Sequence, residues 1–175
     1  CLIDAKVELP GAIITGTALG CLGDTEKFLT DIIQDDEQFL TPTHFIQSIQ
    51  NTVSAQIALQ LKCTNHNFTF VHKGFSFESA LIDSIMLLQE NEANNILVGG
   101  LDEMTEKNFH IYNRLGIWKK EHIRSSELLQ HKTPGTIGGE GACFFVISNE
   151  PSENDYAILR AVRTIYNPDG VNGIE

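Results

Sequence analysis

The chain has 175 residues, 42% of them hydrophobic and 20% charged, with a formal net charge of -11. That length and apolar content suit one folded domain with a real core and argue against disorder. The acidity disfavours nucleic acid or an anionic membrane as partner, since either needs a basic face, and no apolar run is long enough to cross a bilayer.

The opening stretch CLIDAKVELPG (1–11) has no initiating methionine and reads as the tail of a helix, so residues are expected upstream of it. AIITGT (12–17) is a compact apolar strand that runs into Gly16, Gly20 and Gly23. Asp24 and Thr25 then suit the cap of a helix through about Asp35, with Phe28, Leu29, Ile32 and Ile33 on its inner face. Pro42 fits the first turn of a second helix, along which Phe45, Ile49, Val53, Ile57 and Leu61 recur every fourth residue. A strand at 68–71 and a helix from Ser76 to about Glu92 follow, and NNILVGG (94–100) is a buried strand ending in two glycines. A looped or helical excursion reaches about Gln130. GACFFVIS (141–148) and YAILRAVRTIY (156–166) read as two closing strands, and NPDG (167–170) as a turn. Strands alternating with helices, then two consecutive strands, predict an α/β layered domain with a mixed sheet.

Cys1, Cys21, Cys63 and Cys143 form no C-x-x-C pair, and the six histidines are equally dispersed. That spacing gives no support to a metal site or a disulfide framework and predicts isolated, buried thiols in a reducing cytoplasm. Gly16, Gly20 and Gly23 are spaced G-x-x-x-G-x-x-G, unlike a dinucleotide fingerprint, and no G-K-[ST] follows; a tight strand-to-helix turn explains them better. No cofactor is expected. Glu140, among the glycines of TIGGEGACFFVI (136–147), reads as a carboxylate that accepts backbone N–H bonds and fixes a turn. Arg114, Lys119, Lys120 and Arg124 gather four of the twelve basic residues, a solvated face or a dock for an acidic partner.

FTFVHKGFSFESAL (68–81) has the build of a catalytic strand–turn–helix, where free N–H groups at a helix start favour developing negative charge. Its turn carries Gly74 between Lys73 and Phe75. Ser76 and Ser79 are the nearest hydroxyls, neither lies in a G-x-S-x-G elbow, and Ser76 reads as a helix cap.

Taken in order, these pieces resemble the N-terminal half of a β-ketoacyl synthase, a condensing enzyme with a thiolase-like fold. Pro42, Phe45, Ser48 and Asn51 match a P-x-x-F-x-x-S-x-x-N helix. Gly99 and Gly100, with Asp102 or Glu103, match a G-G-x-E strand end, and Gly139, Glu140, Gly141 and Ala142 match G-E-G-A. NHNFTFVHKGFSFESALIDSIMLL (65–88) stands where the family has a G-P-N strand, its T-A-C-A-S-G elbow and its long helix. Aligned without gaps, His72 takes the place of the threonine, Lys73 of the alanine, Gly74 of the nucleophilic cysteine and Ser76 of the later serine.

The resemblance implies a thiolase-like α/β/α half-fold over residues 1–175, lacking the family's first strand and its histidine-bearing C-terminal half. It implies 3-oxoacyl-carrier-protein synthase chemistry from which the covalent step has been removed, because glycine forms no thioester. A chain-length-factor-like subunit, active as a homodimer or paired with an active ketosynthase, would keep the scaffold. Phe45, Phe75, Ser76 and Phe77 are then candidates for an acyl channel, and Arg114, Lys119, Lys120 and Arg124 for docking an acyl-carrier protein. Two alternatives stay open: a structural piece of a split or larger condensing enzyme, and an active acyltransferase with Ser76 or a cysteine as an unconventional nucleophile.

Overall fold

The structure is a computed structural model, and residues 1–165 are described. A four-stranded sheet carries the fold, in the order β2-β1-β3-β4. Strand β1 (Ala12–Gly16) is parallel to β2 (His66–Phe70) and β3 (Asn95–Asp102), and β4 (Gly141–Ser148) runs antiparallel to β3.

Every residue of β1 is buried. A central strand covered on both faces has no polar side to alternate with, which is why AIITG is apolar without interruption. Ala12 and Ile14, with Ile96 and Val98 of β3, face Ala80 and Leu88 of helix α4 (Ser76–Gln89). Ile13 and Leu97 face the other way, onto Ile57, Ala58 and Leu61 of α3 (Thr52–Leu61). Helices on both faces of one mixed sheet make an α/β/α sandwich. Each fully buried Ile or Val here contributes about 1.5–3 kcal/mol.

Close backbone approach fixes the layers. A Cβ on Gly16 would lie 2.5 Å from the carbonyl carbon and oxygen of Ser76, so the first turn of α4 rests directly on the end of β1. On the other side, a Cβ on Gly99 would enter the ring of Phe144 at 2.2 Å. Between β1, β2 and α3 runs a chain of hydroxyls: Thr15 Oγ1 to Thr69 Oγ1 at 2.9 Å, and Thr69 Oγ1 to Ser54 Oγ at 2.9 Å. Thr15 and Ser54 are each only 1% exposed, and these mutual bonds satisfy their buried hydroxyls.

Several sequence expectations are corrected. Residues 1–8 form successive turns, with Lys6 at φ +55, rather than a helix tail. Helix α1 (Leu22–Gln34) starts at Cys21, ahead of the expected cap, and Thr25 instead donates its hydroxyl to the carbonyls of Cys21 and Ser48. Phe28 and Ile32 are half-buried, but Leu29 and Ile33 are exposed.

The single helix expected from Pro42 is two helices, α2 (Pro42–Ser48) and α3, broken where Ile49 turns extended at ψ 144°. The break is forced by two partners in different directions. Phe45 packs on Phe28, ring centroids 5.5 Å apart, and His44 bonds Asp31 at 2.6 Å, whereas Ile57 and Leu61 pack on the sheet. Of the four cysteines, all unpaired in disulfides, only Cys63 is buried.

Residues 156–165 form no strand, Tyr166 lies outside the described residues, and so does the expected turn at 167–170. A strand needs a ladder partner. A turn closed by Asp155 on Ser152 carries the chain away from β4, and the Tyr156 hydroxyl donates to Asp4 at 2.9 Å instead. No helix among the described residues is long and apolar enough to cross a membrane.

Because backbone rather than a flexible side chain fills the space beside Gly16, Gly16→Ala is expected to lower stability by about 2 kcal/mol, read from urea unfolding.

Candidate functional site

At the C-terminal ends of β1 and β3 lies a cavity of about 300 Å³. Gly16, Gly100 and Gly141 bring bare backbone to its wall, Phe77 supplies an apolar side, and Lys73 and Gly74 form its rim.

The rim is built by the passage from β2 into α4. After Phe70 the chain makes one tight 3-10 turn, Lys73–Phe75, and enters the helix at Ser76. Lys73 adopts the left-handed region at φ +50, which costs a non-glycine residue on the order of 1 kcal/mol. Ser76 ties the turn together: its Oγ donates to the Lys73 carbonyl at 2.7 Å and accepts the His72 N–H at 2.8 Å. Only 4% exposed and with that proton committed, Ser76 holds the turn rather than offering a nucleophile. It is the first residue of α4, one place inside the cap position.

Gly74 differs from the other glycines of the site. Its φ is not positive, and a Cβ built on it would meet no heavy atom within 4 Å. Neither backbone conformation nor crowding requires glycine here. A side chain at 74 would stand in open space at the cavity rim.

The opposite rim is held by carboxylates. Asp102, at the end of β3, accepts from Thr17 Oγ1, Ala18 N–H and Leu19 N–H, each at 2.9 Å. Thr17 Oγ1 in turn accepts the N–H of Gly20, which is left-handed at φ +71. The N–H groups that a nucleotide phosphate would need are therefore occupied by the chain's own carboxylate. Glu103 accepts Gly23 N–H at 2.8 Å, and Glu140 accepts Met104 N–H at 3.2 Å, so both pin loops around the cavity. The sequence left Asp102 and Glu103 as alternatives for one position; they hold two different segments. Thr17 was missed, although a hydroxyl next to a strand-end glycine is a signal for such a turn.

Of the three phenylalanines expected at a channel, Phe77 lines the cavity and packs at a tilt against Phe145, ring centroids 6.2 Å apart. Phe75 sits beside His72, and Phe45, on α2, packs against Phe28 of α1 instead. Gly139 and Gly141 have open space about them, while Gly100 fits under the Phe77 ring.

The basic segment follows α5 (Glu106–Arg114). Trp118 is packed between Phe109 and Tyr112 and donates Nε1–H to the Phe109 carbonyl at 2.9 Å, clamping the loop to the helix. Arg114, Lys120 and Arg124 are exposed, but Lys119 is spent on Thr133 Oγ1 at 2.9 Å and on the Thr133 carbonyl. Among the described residues no three His, Cys, Asp or Glu converge as a metal site. The Cys21 thiol is pushed up by partial burial and by the charges of Asp24 and Glu103, the reverse of an activated nucleophile.

The sequence profile of the β-ketoacyl synthase N-terminal domain matches residues 20–119. The chain belongs to that family. Solved structures agree in fold. A β-ketoacyl synthase from Burkholderia phymatum STM815 superposes with TM-score 0.64 at 16% identity, over 79% of this chain and 35% of that one. The ishigamide ketosynthase/chain length factor gives 0.58 at 17% identity, over 79% and 35%. The ketosynthase ApeO in complex with its chain length factor ApeC from Xenorhabdus doucetiae gives 0.54 at 17%, over 65% and 45%. This ketosynthase-family chain thus spans less than half the length of the solved chains it matches. No curated protein matches it.

Removal of the Asp102 anchor leaves three donors short of a partner, so Asp102→Ala is expected to destabilise by about 1–3 kcal/mol in thermal or urea unfolding. With its pKa raised, Cys21 carries less thiolate at a given pH, so near pH 8 maleimide should label exposed Cys1 and Cys143 before Cys21, as read by peptide mass mapping.

Proposed function

We propose that this β-ketoacyl synthase family chain is a non-catalytic subunit that handles an acyl chain beside an active ketosynthase, as a chain length factor does. The observation that carries the reading is Gly74. It stands at the rim of the cavity, on the strand–turn–helix where the family's cysteine is expected, with nothing but space where a side chain would be. Without a thiolate the acyl-enzyme step of a Claisen condensation has no acceptor, and Ser76 does not replace it because its hydroxyl is committed to the turn.

What remains suits a shaping role: a cavity walled by glycine backbone and Phe77, able to take a slim apolar chain. Two of the similar solved structures are named as a ketosynthase with a chain length factor, which supports a heterodimeric pairing over a homodimer. The product would be a fatty-acid-like or polyketide chain, made in the cytoplasm. Arg114, Lys120 and Arg124 form the acyl-carrier-protein dock. Lys119 braces the 131–133 loop beneath it.

A second reading, that the chain is a structural piece of a larger condensing enzyme with no ligand of its own, draws support from an apolar groove of about 550 Å³. It lies between the N-terminal turns and α3 and is lined by Leu2, Val7, Ile57, Leu61 and Phe144. A monomer that melts cooperatively without a partner would count against it.

Incubation with acyl-thioester donors should leave the intact mass unchanged, and a hydroxylamine-labile acyl group on any cysteine would contradict the non-catalytic reading. Carrier-protein binding should be weak and salt-sensitive, and Lys120→Gln with Arg124→Gln should reduce it several-fold in titration; unchanged binding would remove this dock.

A further inference from the structure

Helix α1 ends in an unusual way. Leu29 and Ile33, one turn apart on the same stripe, are 52% and 77% exposed, and Phe39 in the following loop is 94% exposed. The loop is not loose. Asp35 N–H donates to Asp31 O at 2.9 Å, Glu37 N–H to Ile32 O at 2.9 Å and Gln38 N–H to Asp35 O at 2.8 Å. Asp36, Glu37 and Phe39 all take left-handed backbone, at φ 48, 63 and 53, a conformation that disfavours residues with a Cβ. A bonded, strained loop that holds a phenylalanine almost wholly in water is built to present it.

Charge says what it is presented to. From Phe28 to Leu61 the chain has no lysine or arginine, while Asp31, Asp35, Asp36 and Glu37 fall within seven residues. Asp31 is taken by His44, leaving three exposed carboxylates, Asp35, Asp36 and Glu37, between Ile33 and Phe39 in the chain. A second copy of this chain, at net charge -11, would bring the same acidic rim against them. An acidic carrier protein would be repelled as well.

We propose that the end of α1 and the loop to Phe39 dock a different protein, one presenting an apolar patch with a lysine- or arginine-rich rim. The inference rests on the reading of the chain as one member of a heterologous pair, and it names the face and the partner's chemistry.

A fluorescein-labelled amphipathic helical peptide of leucine and lysine, titrated onto the whole chain by anisotropy, serves as probe, with a leucine–glutamate peptide beside it. The lysine peptide should bind and the glutamate peptide should not. Ile33→Ser with Phe39→Ser should weaken binding about tenfold at unchanged melting temperature, since both side chains are already in water. Asp35→Asn, Asp36→Asn and Glu37→Gln together should weaken it several-fold and flatten its salt dependence. The distant exposed set Glu90→Gln, Glu92→Gln and Glu150→Gln should do neither. No binding, equal binding by both peptides, or equal loss in both carboxylate sets would overturn the proposal. Self-association in light scattering that Ile33→Ser abolishes would do so too, by making a second copy the occupant. None of these results touches the mass test at Gly74, so the two readings can fail separately.

Discussion

The approach of α4 to the end of β1 governs the rest of this structure. With 2.5 Å between a Cβ at Gly16 and the Ser76 backbone, no side chain separates helix from strand. The helix start is therefore pressed against the sheet at one point, and the turn before it must be short. Ser76 closes that turn from inside, Lys73 takes a left-handed backbone to make it, and Gly74 is left at the open rim. The cavity, its glycine wall and the orientation of the rim follow from that one contact. Asp102 completes the opposite side by gathering the N–H groups after β1, as a bound anion otherwise would.

Much of this was legible in the sequence where patterns report local physics. The unbroken apolar run of β1 is visible because a strand covered on both faces must be apolar throughout, and β3 and β4 are visible from their own apolar runs and the glycines beside them. What was not legible depends on partners. The four-residue period from Phe45 to Leu61 continues across the break at Ile49, since α2 and α3 both bury one side, but on different neighbours. The apolar residues from 156 onward look like a strand, yet residues 156–165 join no ladder, although the outer edge of β4 is open. At the site, the place of Gly74 was readable from motif order, whereas the role of Ser76 required knowing where its hydroxyl bonds. Lys119 likewise counted as one of four basic residues until its contacts with Thr133 set it apart.

The proposed reading of Gly74 implies a division of labour between shape and chemistry. The contacts that shape an elbow are all present, and each is made by backbone or by a side chain spent on backbone. Position 74 carries none of that structural burden, since a side chain there would meet no neighbour.

The most direct measurement takes Gly74→Cys and records both unfolding stability and alkylation by iodoacetamide. Open space around position 74 predicts a variant within about 0.5 kcal/mol of the parent, as for a substitution that meets no neighbour. Its new thiol should be modified as readily as exposed Cys143. A large loss of stability, or a folded variant whose Cys at 74 resists alkylation, would contradict the account.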